Sequence, residues 1–414
     1  MPTIEQQIEN LQRVLDVSLR LAATTDLDLL LHTIVETSCQ ALRCDRATIF
    51  LYDATEDELY SRVATGMAAI RFAATRGIAG AAAQSRQVVN VADAYEDPRF
   101  NAEIDRQTGY RTRSLLTFPL ISHEGGLMGV LQAVNKLEGA FDANDEELAR
   151  ALSAQAGVAL HRQHLLNETA KKQQLQRDLR IARDIQQAFL PKENPAAPGY
   201  EIAGWNRPAD DTGGDCYDFI PLSSGKIALV LADATGHGIG PALVIAEFRA
   251  LVRAMLSVTN DLPGIVSRVN KLLSADMMDG RFVTTFFGIL DPVAHRVDYC
   301  SCGQGPILFV RRGAGEWRPA TEPPLGVDHG LPPQPAAMFS FEPGDALVLL
   351  TDGFYEAMNS RGDLFGEERV LATFSSAERE PLTTVIERLQ AAVAEHNASN
   401  QTDDLTAVLV RRRP

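Results

Sequence analysis

DDTGGDCYDF, Asp210 to Phe219, sets four carboxylates and two glycines into ten positions. Like charges this close repel, and a buried cluster of them is costly unless a cation neutralises it. Two readings fit the stretch by itself. One is a solvated turn, for which Asp and Gly are ordinary residues. The other is a site for hard divalent cations, which take several oxygen ligands. The choice between them, and with it the fold, rests on where the other acids of the chain fall.

They fall at the ends of apolar runs. KIALVLAD (226–233) closes on Asp233 and is followed by ATGHG. DALVLLTD (345–352) closes on Asp352, next to Gly353. QTDDLTAVLV (401–410) opens a strand pattern with Asp403 and Asp404, and Asp215 and Asp218 belong to the quoted stretch. Neighbouring strands lie ~4.8 Å apart, so acids at adjacent strand ends can converge on one point. One strand-end Asp is an ordinary turn former or cap. Several after apolar runs call for a counter-ion. A pair of Mg2+ or Mn2+ ions ~3.5–4 Å apart would supply it, and would make a bound water nucleophilic. No G-x-S-x-G or P-loop pattern offers a rival chemistry.

Composition bounds the rest. A chain of 414 residues exceeds one ordinary core, so two or three domains are expected. With 45% hydrophobic and 22% charged residues it reads as soluble globular protein. No apolar run reaches the ~18 residues of a membrane span, and MPTIEQQIENLQRV lacks the layout of a signal peptide, so a cytoplasmic location is expected. A net charge of −15 disfavours nucleic acid as a partner. The five cysteines (Cys39, Cys44, Cys216, Cys300, Cys302) lack zinc-type spacing and are expected as packed thiols.

Three parts follow along the chain. In 24–160, helical DLDLLLHTIVETSCQAL and DEELARALSAQAGVALHRQHLL flank the strand-like runs ATIFLYD, QVVNVAD, SLLTFPLI and GGLMGVLQAVNK. That pattern predicts an α+β domain with a mainly antiparallel sheet. Residues 161–191 form a polar helical linker, ended by Pro191. On it Leu175, Leu179, Ala182, Ile185 and Phe189 draw an apolar stripe, which fits packing on a neighbouring domain or pairing with its twin in a homodimer. Residues 192–414 read as strand-rich, with helices at GPALVIAEFRALVRAML and PLTTVIERLQAAVAEHN.

GGDCYDF, LADATGHGIGPA, FVTTFFGILD, PPLGV, LLTDGFYEAMNSRGDLFGEERV and QTDDLTAVLVR, in this order after RIARDIQQAFLP, resemble the SpoIIE/RsbU-type branch of the PPM (PP2C-like) serine/threonine phosphatases. The resemblance covers about 181–412. It implies an αββα sandwich and a phosphoprotein phosphatase that uses two Mn2+ or Mg2+ ions. Carried over by motif, Asp233 matches the acid shared by both metals and Ala234 the accompanying carbonyl. Asp215 matches the acid on the second metal, and Asp352 and Asp403 the acids on the first. Asp218, Gly214 and Gly236 would shape the loops, and Asp404 is structural or catalytic. The acid histidine of eukaryotic relatives matches Thr235, so His237 is expected as a loop or metal-shell residue. In SCGQGP, Gln304 stands where the branch has a histidine, and an amide cannot titrate.

GIAGAAAQSRQVVNVADAYEDPRFNAEIDRQTGYRTRSLLTFPL (77–120) and NKLEGAFDANDEE (135–147) resemble GAF domains, specifically those of cyclic-nucleotide phosphodiesterases and cyclases. The resemblance implies a structural Lys136–Asp145 ion pair and a pocket touched by Ile78, Ala79, Asp105, Thr108, Thr112 and Gln132. Asn101 replaces an aromatic that would stack on a base. Arg106, Arg111 and Arg113 could provide donors for a cyclic phosphate. The whole then reads as a GAF sensor, a linker and a phosphatase acting on a phosphorylated regulator of the anti-sigma-factor-antagonist type, dimeric through GAF and linker helices. The alternative is a non-catalytic nucleotide-sensing scaffold that recruits a partner through an inactive phosphatase fold.

Overall fold

The computed structural model describes residues 4–24, 26–61, 70–236, 238–277, 280–328 and 334–414. The chain divides into two units, Met1–Gln174 and Leu175–Pro414. Among the described residues no helix is long and apolar enough to cross a membrane.

The first unit begins with α1 (Ile4–Ala23) and α2 (Leu27–Leu42). Asp26 caps α2, its Oδ1 accepting the Leu29 N–H at 2.9 Å. Then come β1 (Cys44–Asp53), β2 (Glu58–Tyr60), β3 (Arg71–Ala73), α3 (Gly77–Ser85), β4 (Val89–Val91), α4 (Glu103–Thr108), β5 (Leu115–Ile121) and β6 (Leu127–Lys136). The strands form one antiparallel six-stranded sheet in the order β3-β2-β1-β6-β5-β4. Leu30, Leu31 and Ile34 of α2 bury against Ile49, Phe118 and Leu131 of the sheet and Leu148 and Leu152 further along the chain. This is the α+β domain that alternating runs between helical segments predict.

The next element, α5 (Ala143–Gln187), is one helix of 45 residues where the sequence suggests two segments. Nothing between 160 and 167 breaks it: the residues there are neither Pro nor Gly. Asp142 starts it with a reciprocal cap. Its Oδ1 accepts the N–H groups of Asn144 and Asp145 at 2.9 Å, and Asp145 Oδ2 accepts the Asp142 N–H at 3.1 Å. Asp145 Oδ1 also receives Lys136 Nζ at 2.6 Å, and the same ammonium donates to the Leu42 carbonyl at 2.9 Å.

The second unit contains β7 (Tyr200–Arg207), β8 (Asp215–Pro221), β9 (Ile227–Ala234), α6 (Ile239–Leu256), α7 (Leu262–Asp276), β10 (Val283–Asp291), β11 (Arg296–Cys302), β12 (Ile307–Arg311), β13 (Ala314–Arg318), β14 (Ala337–Ser340), β15 (Ala346–Leu350), α8 (Asp352–Tyr355), α9 (Gly366–Ser376), α10 (Leu382–His396) and β16 (Leu405–Arg412). Two five-stranded sheets result, β14-β11-β10-β9-β8 and β13-β12-β15-β16-β7. Their strands are apolar on both faces because each sheet is covered twice. Between the sheets lie Tyr217, Phe219, Leu229, Leu231, Phe286, Phe309, Leu347 and Val408. Phe309 from one sheet stacks on Phe339 of the other at 4.8 Å between centroids, and Phe339 on Tyr299 at 4.6 Å. Outside, α6 and α7 cover the first sheet through Phe248, Val252, Ile265 and Val269. The helices α8 to α10 cover the second through Phe354, Phe374, Ile386 and Leu389. The result is an αββα sandwich.

The Lys136–Asp145 contact is nearly dry, with side chains 14% and 7% exposed. Removing one partner strands the other charge, so Lys136→Met should cost the first unit about 3 kcal/mol in urea unfolding. A loss within error of zero would mean that solvent already screens the pair.

Candidate active site

Asp215 begins β8 and Asp233 lies one residue before the end of β9, and the two are direct partners in the antiparallel register. In the other sheet β15 and β16 pair Leu350 with Ala407, which brings Thr351–Asp352 and Asp403–Asp404 to the same strand ends. The two sheets meet through Asp215. Its carboxylate is 4% exposed, and its Oδ2 accepts the hydroxyls of Thr351 at 2.8 Å and Thr406 at 2.5 Å. Sequence reasoning placed Asp352 at the end of a strand; it is instead the first residue of α8.

The electrostatics couple these acids to one another. Burial, then the charges of Asp233 and Asp404, hold the Asp215 carboxyl well above its ordinary range. Burial, then Asp352 and Asp403, push Asp233 up to about 7, with a hydrogen bond from Asp215 opposing. Burial, then Asp403 and Glu356, push Asp352 up to about 6. Burial and mutual repulsion thus both act to keep protons on a set of hard oxygen donors. Among the described residues no three His, Cys, Asp or Glu side chains close around a single point as a ready-made metal cage. The donor chemistry nonetheless fits Mg2+ or Mn2+: it is all oxygen, and its repulsion is relieved by a divalent charge. Asp215, Asp233, Asp352 and Asp403, with the Ala234 carbonyl, are the groups available to hold such ions.

Backbone packs tightly around them. A Cβ on Gly214 would come within 2.6 Å of the Ala234 carbonyl oxygen, and one on Gly353 would run into the Asp404 carbonyl. That answers why glycine accompanies aspartate in this stretch. Asp404 itself is an organiser: Oδ1 accepts the Ala209 N–H at 2.7 Å and Oδ2 the Asp215 N–H at 3.2 Å. Asp403 Oδ1 accepts the Asp404 N–H at 2.8 Å.

Asp218 is not part of the cluster. Strand alternation turns it to the opposite face of β8, where Arg253 grips it at 2.6 and 2.8 Å and Arg249 approaches at 3.1 Å. Thr235 bonds across to the residue before β10, its hydroxyl accepting the Phe282 N–H at 3.2 Å. His237 lies outside the described residues. Gln304 is buried and bonded at both ends. Its Nε2 donates to the Leu350 carbonyl at 2.9 Å and its Oε1 accepts the Thr284 hydroxyl at 3.1 Å. Thr284 is the register partner of Asp233, so this amide ties the two acid-bearing sheets together. Thr351, Thr406 and the bridging role of Gln304 were missed from sequence, although each threonine stands within two residues of an acid in LLTDG and DDLT.

In the first unit, Asp105 and Thr112 satisfy one another. Asp105 accepts the Thr112 N–H at 2.7 Å and its hydroxyl at 2.8 Å, with Tyr95 OH at 3.1 Å. Ile78 and Ala79 are buried in two small apolar clusters beside the sheet. Gln132 Nε2 donates to Thr117 Oγ1 at 3.2 Å. Arg106 pairs with Glu103 and Arg111 lies over the Tyr95 ring. The side chain of Thr108 lies outside the described set. Asn135 fastens the neighbouring segment, accepting the Arg113 N–H at 2.6 Å and donating to the Arg111 carbonyl at 3.0 Å.

Comparison with known proteins agrees with this architecture. Residues 223–413 match the family model of the stage II sporulation protein E (SpoIIE) and residues 26–160 that of the GAF domain. Among curated relatives, a probable 3',5'-cyclic phosphodiesterase of Caenorhabditis elegans is 35% identical over 144 residues, covering 31% of this chain and 20% of that protein. The cGMP-specific 3',5'-cyclic phosphodiesterase of Drosophila melanogaster is 33% identical over 165 residues, covering 36% and 15%. The chain thus spans a fifth or less of the length of these relatives. Among solved structures, the SiaA-PP2C domain of Pseudomonas aeruginosa superposes with a TM-score of 0.50 at 21% identity, over 58% of this chain and 98% of that one, a likeness of fold. Residues 26–160 thus match the GAF domain and residues 223–413 the SpoIIE family, the latter in a PP2C-like fold.

Proposed function

We propose that the chain is a metal-dependent protein serine/threonine phosphatase whose substrate is a phosphorylated bacterial regulator of the anti-sigma-factor-antagonist type. The observation that carries this reading is the convergence of Asp215, Asp233, Asp352 and Asp403, where burial and then shared repulsion raise Asp233 to about 7 and Asp352 to about 6. Two divalent ions, Mn2+ or Mg2+, would supply the missing positive charge and an activated water. The chain's own residues orient the donors. Thr351 and Thr406 fix one oxygen of Asp215, Asp404 holds the loop before it, and Gln304 keeps Asp233 and Asp352 in reach of each other. Uncompensated, these acids would repel a phosphate ester, so turnover has to depend on added cation.

The GAF domain is read as a sensor for a small ligand, a cyclic nucleotide in the first instance. Supporting this are the names of the curated relatives, which are cyclic-nucleotide phosphodiesterases. A homodimer is read from α5, where Leu175, Ile181 and Ile185 are more than half exposed. The setting is read as cytoplasmic without membrane contact, and the net charge of −15 supports the reading that nucleic acid is no partner.

With Mn2+ the chain should hydrolyse p-nitrophenyl phosphate and a phosphoserine peptide, and Asp233→Asn should reduce both rates to the EDTA background. Hydrolysis that ignores EDTA would sink the two-ion reading. Peptide binding without hydrolysis in Mn2+ or Mg2+ would instead favour the scaffold. Calorimetry with cyclic GMP and cyclic AMP tests the sensor separately. Binding is expected for one of them, with a change in the phosphatase rate, and absence of both effects removes cyclic nucleotides as the ligand.

A further inference from the structure

The reading above leaves Gln186 without a role. It is the penultimate residue of α5 and is 7% exposed, whereas Ile185 and Gln187 on either side are exposed. Its amide is spent on one residue. Nε2 donates to the Gly213 carbonyl at 2.6 Å, and Oε1 accepts the Gly213 N–H at 3.0 Å. A primary amide offers a donor and an acceptor at the spacing of a strand neighbour, so the pair of bonds fixes both the position and the tilt of the Gly213 residue.

What that residue touches makes the contact more than a tether. A Cβ at 213 would collide with the Asp404 carboxylate, so the Gly213 backbone packs directly on it. The same carboxylate accepts the N–H groups of Ala209 and Asp215. Gly213 is also only two residues before Asp215, whose Oδ2 is already committed to Thr351 and Thr406. Anchoring of the helix end is left to other side chains: Phe189 lies under the Arg249 guanidinium, 5.3 Å from its ring centre, and Leu190 packs into the sandwich. Gln186 is therefore not the only side chain that holds this segment in place.

We propose that Gln186 is a positioning residue that clamps the Gly213 peptide and, through it, sets the Asp404 and Asp215 carboxylates in the arrangement that takes divalent cations. The inference rests on the phosphatase reading for its purpose. Its geometry stands independently.

The test uses the full chain and Gln186→Met, which keeps the shape and loses both bonds. Mn2+ binding by calorimetry should weaken about tenfold or more, as for loss of a residue supporting a metal ligand. Amide hydrogen exchange at 209–215, measured in EDTA, should accelerate. Gln187→Met, one position on, should change neither. A clamp that served stability alone would lower the unfolding midpoint and leave Mn2+ affinity intact, so binding within about twofold of the wild type overturns the proposal. Unchanged exchange at 209–215 overturns it too. Should the methionine variant fail to fold, Gln186→Asn, which keeps the amide but cannot reach, is expected to show the same two effects. If the wild type binds Mn2+ but hydrolyses no phosphate ester, while Gln186→Met still weakens binding and loosens the loop, the phosphatase reading falls and the clamp stands.

Discussion

The Asp215 carboxylate is the point on which the second unit turns. It belongs to one sheet by its backbone and to the other by the Thr351 and Thr406 hydroxyls that it accepts. A buried carboxylate without donors would cost several kcal/mol, so these bonds decide how the strand ends face each other. Apolar packing between the sheets fixes their distance. It is non-directional and cannot place individual oxygens. The polar contacts at one end do that.

The arrangement is in tension without cations. A carboxyl raised from 3.8 to about 7, as at Asp233, favours the folded chain while protonated. That contribution is complete below its unfolded value and is lost as pH rises through the folded one, so the bare cluster opposes folding most near and above neutrality. The rest of the sandwich tolerates this because its core is extensive and its loops are held from several sides. Asp404 gathers the Ala209–Asp215 backbone, and Gln304 spans from Thr284 to Leu350. Asp218, an acid of the same stretch, escapes the tension by facing α6 and its two arginines.

Much of this was legible. Apolar runs that stop at an acid marked β9, and marked β15 except for the run's last two residues, because a fully covered strand must be apolar on both faces. Other features were legible in principle and overlooked. Leu262, Ile265, Val266, Val269 and Leu273 carry the three- and four-residue spacing of α7. Of the apolar stripe on α5, Leu175 and Ile185 stay exposed within one chain, as pairing with a twin helix would leave them, while the buried residue of that turn is the polar Gln186. Periodicity reports apolar faces, so it cannot find a glutamine whose partner is a backbone peptide far along the chain. Gln304 was read as a lost proton carrier, whereas its value lies in having both a donor and an acceptor.

The close backbone contacts around Gly214 and Gly353 have a consequence for how such a domain can diversify. Neither position accepts even a methyl group without displacing main chain, so the floor of the site is closed to variation by substitution. Variation is left to positions whose side chains can change while these two glycines stay as they are.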